Sequence, residues 1–269
     1  MGGVDLIVTD LDGTLWHTDD DIHPAATAAL EEVRRRGPPL LVATGRRVTS
    51  TRVPLARLGA APPAVVLNGA LGLDLATGER FHRAPFTALQ ATRVLAGFRA
   101  VGLDPCLYVD DPTAEVLVSD APSTNPGHLA ALGETAAVAE LDQAVRATTV
   151  LGFSIIGAPR RELAAAASAL DGAGEVHLDR AFDYPGLASM TVAPLGQSKW
   201  DGVLAYCIKC GLDAARVLAV ADGPNDVELL VNASVAVVPS NAHPAALEQA
   251  DRLIPPARQG GWKAVLDLI

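Results

Sequence analysis

The chain has 269 residues, 49% of them hydrophobic, and a formal net charge of −10. That length allows one large domain or two smaller ones. The acidic balance argues against nonspecific binding to nucleic acid or an anionic membrane, and no uncharged apolar run approaches the roughly 20 residues that cross a bilayer.

The opening "MGGVDLIVTD" has neither a basic start nor a signal-length apolar region, and three cysteines do not make a disulfide framework, so the expectation is a cytoplasmic protein. "DLIVTD" reads as a strand. "PAATAALEEVRRRG" reads as a helix that Pro24 suits at its start and Gly37 at its stop, with Leu30 and Val33 at helical spacing. "PLLVATG" is a second strand, Val48 to Leu58 a helix and "AVVLNG" a third strand. Such alternation implies parallel strands joined by right-handed crossovers. Runs apolar on both faces, such as "LLVA" and "RVLAVAD", place helices on both sides of the sheet.

From about Ala84 the rhythm changes to helix, strand, strand, a loop in "APSTNPGH", a short helix, the strand "TVLGFSIIG", the helix "RRELAAAASAL" and the strand "GEVHLD". Paired strands between helices suggest an open antiparallel sheet. The α/β rhythm returns in "SKWDGVLAYCIKCG", "RVLAVAD", "PNDVELLVNA" and "SVAVVP". The expected fold is therefore a Rossmann-like, doubly wound parallel sheet core formed by residues 1–83 and 189–269. An α+β domain is inserted at 84–188.

In open α/β sheets ligands bind beyond the carboxyl ends of the strands. Those ends carry Asp10 and Asp12, then Thr44, Gly45 and Arg46, then Asn68, and after "RVLAVA" Asp222, Asn225 and Asp226. Carboxylates converging from two strand ends repel unless a cation or proton neutralises them, and Mg²⁺ is the hard, oxygen-seeking cation that tolerates open water positions. In "VTDLDGTLW", a turn at Gly13 lets Asp10 and Asp12 approach a substrate from different sides, one as nucleophile and the other as general acid/base. The Thr14 hydroxyl can hold a carboxylate or phosphate oxygen. Thr44 and Lys199 would supply a hydroxyl and a positive charge to the equatorial oxygens of a transferring phosphoryl group.

"DLDGTL", "TGR", "SK" and "ADGPND", each at a strand or helix end and in this order, resemble the four motifs of the haloacid dehalogenase superfamily of phosphatases. "LNGA" and the insertion between the second and third motifs are similar to its Cof-type branch, whose cap is a separate α/β domain. The resemblance covers essentially the whole chain. It implies that Asp10 forms an aspartyl-phosphate and that Asp12 protonates the leaving alcohol and then activates water. It further implies that Thr44 and Lys199 hold the phosphoryl oxygens, with Gly45, Arg46, Asn68 and Asn225 beside the substrate. Asp10, the Asp12 backbone carbonyl and Asp222 would ligate Mg²⁺, and Asn225 and Asp226 would support the metal or Lys199. Ala221 and Trp200 stand where the family usually has Gly, and "VVPSNA" replaces a common Met-Gly-Asn-Ala run; none of these removes a chemical group.

The implied activity is Mg²⁺-dependent hydrolysis of a small phosphorylated metabolite, plausibly a sugar phosphate, with no nucleic-acid or membrane partner and an undetermined oligomeric state. A phosphomutase of the same superfamily keeps both aspartates and is the alternative. A receiver-like signalling module, in which Asp10 is a phosphorylated switch, is disfavoured by Asp12, and so is dehalogenase chemistry. Cys207 and Cys210 in "CIKC" lie at a helix end whose dipole disfavours thiolate and read as structural. Asp19 to Asp21 read as a solvated loop, and His128 and Asp110 as loop residues of the inserted segment with some chance of touching substrate.

Overall fold

A computed structural model describes residues 3–17, 22–181 and 183–269; the acidic run Asp19–Asp21 lies outside them. The chain begins β1 (Leu6–Thr9), α1 (Pro24–Arg36), β2 (Leu40–Ala43), α2 (Val48–Arg57), β3 (Pro63–Val66), β4 (Leu71–Asp74) and β5 (Arg80–Arg83). There follow α3 (Ala88–Ala100), β6 (Cys106–Val109), β7 (Val116–Val118), α4 (Pro126–Leu132), β8 (Ala136–Val138) and α5 (Leu141–Ala147). Next come β9 (Val150–Ala158), α6 (Arg160–Ala169), β10 (Glu175–Arg180) and β11 (Ala188–Ala193). The last stretch holds α7 (Lys199–Cys210), β12 (Val217–Val220), α8 (Val227–Asn232), β13 (Val235–Pro239), α9 (Pro244–Leu247), β14 (Arg252–Ile254) and a 3-10 segment, Gly261–Asp267.

Two compact units result, one from Met1–Arg83 with Ser198–Ile269 and one from Ala84–Gln197. The first holds an eight-stranded sheet in the order β14-β13-β12-β1-β2-β3-β4-β5. It is parallel from β14 to β3, and its β3-β4-β5 edge is antiparallel, a hairpin that the sequence reading does not contain. Strand order reverses about β1 and β12, which pair directly with Thr9 opposite Val220. This is the switch point at which α/β sheets open a crevice beyond their carboxyl ends.

The faces of this sheet follow from strand alternation. Leu6, Val8, Leu41, Val65 and Ala219 pack in one cluster with Trp200 and Val203 of α7 and Leu229 of α8. On Gly202 of α7 a Cβ would come within 2.5 Å of Val65, so only glycine lets the helix sit this close to β3. The helix start is fixed by Asp201, whose carboxylate accepts from both the backbone N–H and the hydroxyl of Ser198 at 2.9 Å. Gly211, left-handed at φ 65°, ends it. Together these set Lys199 in place on the first turn.

The second unit holds a six-stranded sheet, β10-β11-β9-β6-β7-β8, antiparallel except for the β7–β8 pair. Phe98, Phe153, Ile155, Leu163 and Met190 share its core with Phe86. The expected boundary after Ala188 is corrected here. β11 is an inner strand paired on both sides, with Ala188, Met190 and Val192 buried in alternation, so the unit runs on to Gln197.

Candidate active site

Asp10 leaves β1 at the switch point, its backbone N–H donating to Val220 O at 2.9 Å. Lys199 Nζ donates to Asp10 Oδ1 at 2.9 Å and to Asp226 Oδ1 at 2.5 Å. Lys199 and Asp226 are each 1% exposed and Asp10 7%. Burial acts most strongly on Asp10 and drives its carboxyl well above the usual range; Lys199 pulls it down, while Asp226, Asp222 and Asp12 push it up again. For Lys199 burial opposes the charge, but Asp10 and Asp226 outweigh it and hold the ammonium protonated.

Asp222 follows β12. Thr14 donates its hydroxyl to Asp222 Oδ1 at 2.7 Å, and Gly13, left-handed at φ 78°, lies so near that a Cβ there would stand 2.3 Å from Asp222 Oδ2. The turn after Asp12 therefore requires glycine for both its conformation and its contact. Burial pushes the Asp222 carboxyl up to about 6, the Thr14 bond opposing it and Asp226 adding to it. One carboxylate oxygen each from Asp10, Asp222 and Asp226 lies within 4.8 Å of the others. Asp10 and Asp222, whose carboxyls resist ionisation, with Asp226 beside them, fit a hard divalent cation, which would supply the positive charge that Lys199 alone does not. Asp226 belongs to this cluster by its side chain, whereas the Asp12 carboxylate does not.

The Asp12 side chain is instead held from the β2 loop. Arg46 Nε and Nη2 donate to Asp12 Oδ2 and Oδ1 at 2.6 Å each, Trp16 Nε1 donates to Oδ1 at 3.1 Å, and the guanidinium lies 5.5 Å from the Trp16 ring centre. Arg46, read from sequence as substrate-binding, is thus also an orienting partner of Asp12. Trp16 was not singled out by sequence, because nothing in "DGTLW" links its indole to the Asp12 carboxylate.

Three strand-end loops meet around Asn68. Thr44 is buried, its Oγ1 accepting the Arg46 N–H at 3.2 Å, and its carbonyl accepts the Asn68 N–H at 3.1 Å. Leu67 and Asn68 are both left-handed, at φ 53° and 55°, a conformation that a non-glycine residue adopts under strain. Leu67 N–H donates to Arg46 O, which ties that turn to the β2 loop. Asn225 Nδ2 donates to Asn68 Oδ1 at 2.9 Å, and a Cβ on Gly45 would reach the same oxygen at 2.9 Å. Asn225 is accordingly bonded to Asn68, while Asp226 is the neighbour that reaches Lys199.

His128 on α4 and Asp110 after β6 lie in the second unit. Cys207 and Cys210 are free thiols at the end of α7, and burial pushes Cys207 up, away from thiolate.

A doubly wound α/β unit that gathers these side chains at its switch point is the frame of a phosphoryl-handling hydrolase. The chain belongs to the haloacid dehalogenase-like hydrolases, whose family pattern it matches over residues 7–266. It is 26% identical to a phosphoglycolate phosphatase of Methanopyrus kandleri over 88% of this chain and 84% of that protein. It is 24% identical to a pyridoxal phosphate phosphatase of Escherichia coli over 93% and 92%. Among solved structures, a haloacid dehalogenase-like hydrolase from Bacteroides thetaiotaomicron superposes with a TM-score of 0.78 at 21% identity, covering 98% of each chain. The chain is therefore an enzyme of the phosphatase kind, and the signalling-module alternative is set aside.

Proposed function

We propose that the protein hydrolyses a small phosphorylated metabolite, of the sugar phosphate class, through a phosphoryl group carried on Asp10. The observation that carries this reading is the buried Lys199 bridge between Asp10 and Asp226, with Asp12 held beside it by Arg46. Asp10 attacks phosphorus while Asp12 gives its proton to the departing alcohol oxygen. Asp12 then takes a proton from the water that attacks the phosphoaspartate. Lys199 and the Thr44 hydroxyl hold the phosphoryl oxygens, with Gly45, Arg46, Asn68 and Asn225 around them.

Mg²⁺ would be held by Asp10, Asp222 and the Asp12 backbone carbonyl, with Asp226 beside them, and would offset charge on the phosphoryl group. The relatives named above support the class of substrate, a phosphorylated small molecule. The unit Ala84–Gln197 is proposed as the cap that carries substrate choice. No helix among the described residues is long and apolar enough to cross a membrane. A cytoplasmic site of action is part of the same proposal, supported by three free cysteines. The test is phosphate release across a panel of phosphorylated metabolites with and without Mg²⁺. Free phosphate with Mg²⁺ alone is expected, whereas an isomerised sugar phosphate or full turnover after chelation contradicts the reading.

A further inference from the structure

Thr9 is the one polar residue of β1, and it is fully buried at a position where valine would have the same shape. Its hydroxyl donates to the backbone carbonyl of Asp10 at 2.8 Å and accepts the indole N–H of Trp262 at 2.9 Å. Trp262, also fully buried, belongs to the 3-10 segment Gly261–Asp267, which packs beside α1. Asp10 N–H is itself bonded to Val220 O. The backbone N–H and C=O of Asp10 are thus both fixed, one by the neighbouring strand and the other by a two-step chain that ends in the 3-10 segment.

We propose that Thr9 and Trp262 are positioning residues for Asp10, holding the peptide that carries the nucleophile so that its carboxylate meets phosphorus at a fixed angle. The proposal rests on the reading of Asp10 as nucleophile. A hydroxyl that accepts from a buried indole and donates to a buried carbonyl satisfies three polar groups at once. A purely apolar pair, valine against phenylalanine, would fill this space but leave the Asp10 carbonyl without this donor. Groups that orient a metal ligand from behind change its affinity or activity by about 10- to 100-fold when removed, and the same logic applies to a nucleophile held through its own peptide.

The competing role is purely structural: the indole N–H needs an acceptor and Thr9 provides one, with no effect on reaction. The double variant Thr9→Val/Trp262→Phe separates the two roles. The double variant removes both ends of the Trp262–Thr9 bond, which is close to neutral for stability, and leaves only the Asp10 carbonyl without its hydroxyl donor, so the protein should stay folded with a modest fall in its urea midpoint. If the pair positions Asp10, kcat for p-nitrophenyl phosphate falls about ten- to a hundredfold while KM is little changed, and Thr9→Ser, which keeps the hydroxyl, recovers most of that loss. A folded double variant with wild-type kcat overturns the proposal. Trp262→Phe alone leaves Thr9 bonded to Asp10 and serves as the second variant: a several-fold loss of kcat supports the proposal and a wild-type value overturns it. Mass spectrometry of phosphorylated unaltered protein distinguishes the two readings. Label away from Asp10 sinks the nucleophile assignment and this proposal with it, whereas label on Asp10 with a wild-type double variant sinks this proposal alone.

Discussion

Arg46 grips Asp12 by both carboxylate oxygens, through Nε and Nη2 at 2.6 Å each. A planar two-pronged pair fixes the direction of the carboxylate as well as its place, which a lysine ammonium does not. Arg46→Lys should therefore cost kcat despite keeping the charge. For substrates with poor leaving groups the expected loss is about tenfold or more, because these need a well-aimed acid. p-Nitrophenyl phosphate, whose leaving group departs without a proton, should lose less in phosphoenzyme formation, read as kcat/KM, although breakdown of the shared intermediate slows for every substrate. Equal losses of kcat/KM for both kinds of substrate would count against the orienting role.

Lys199 stands between two buried carboxylates. Lys199→Met should lower the stability of the metal-free protein by about 3 to 5 kcal/mol, since each carboxylate is left without its buried counter-charge. The deficit should shrink as pH falls and Asp10, whose carboxyl burial holds well above the usual range, takes up a proton. Urea unfolding at two pH values checks both statements; a pH-independent deficit would show that lost packing rather than charge is responsible.

The Asp222 carboxyl, pushed up to about 6 from an ordinary 3.8, makes a pH prediction with a definite sign. The folded state holds this proton more tightly than the unfolded chain, so the group's contribution favours folding at low pH. It is lost as pH rises from about 4 to about 6. Mg²⁺ held at this carboxylate, as proposed, would oppose that loss and compete with the proton. Thermal unfolding should show a larger Mg²⁺-induced rise in Tm near about pH 8 than near about pH 5, since only a ligand that binds the folded state stabilises it. Asp222→Ala should abolish the rise. An equal rise at both pH values, or one that survives Asp222→Ala, would place the cation elsewhere.

The parts of this site that the sequence reveals are those that sit at strand ends. Asp10, Thr44, Asn68 and Asp222 each follow an apolar run, so chain position alone brings them to one edge of the sheet. What it hides are the bonds between them. Arg46 and Asp12 are 34 residues apart and Thr9 and Trp262 are 253 apart, and no local pattern links either pair. Thr9 carried a faint signal as the polar residue in an otherwise apolar strand.

In the fold, the elements that escaped are short or half exposed. β4 and β5 have four residues each, and β5 has no fully buried position to give an apolar run. β8 has three residues, with two of them exposed. β11 is different, because its alternating buried Ala188, Met190 and Val192 carry the period of a strand. Reading past that alternation set the domain boundary nine residues short of Gln197.

The central claim is that Asp10 carries the phosphoryl group and Asp12 moves the protons. Asp12→Asn, given p-nitrophenyl phosphate, should still phosphorylate Asp10, because this leaving group departs without a proton. Breakdown of the intermediate should slow by about 10² to 10⁴, the usual cost of losing a general base. The direct measurement is mass spectrometry of the rapidly quenched Asp12→Asn protein alongside Asp10→Asn. The account predicts a burst of p-nitrophenol with phosphate on Asp10 in the first and no phosphoenzyme in the second; label on any other residue, or phosphoenzyme in Asp10→Asn, would contradict it.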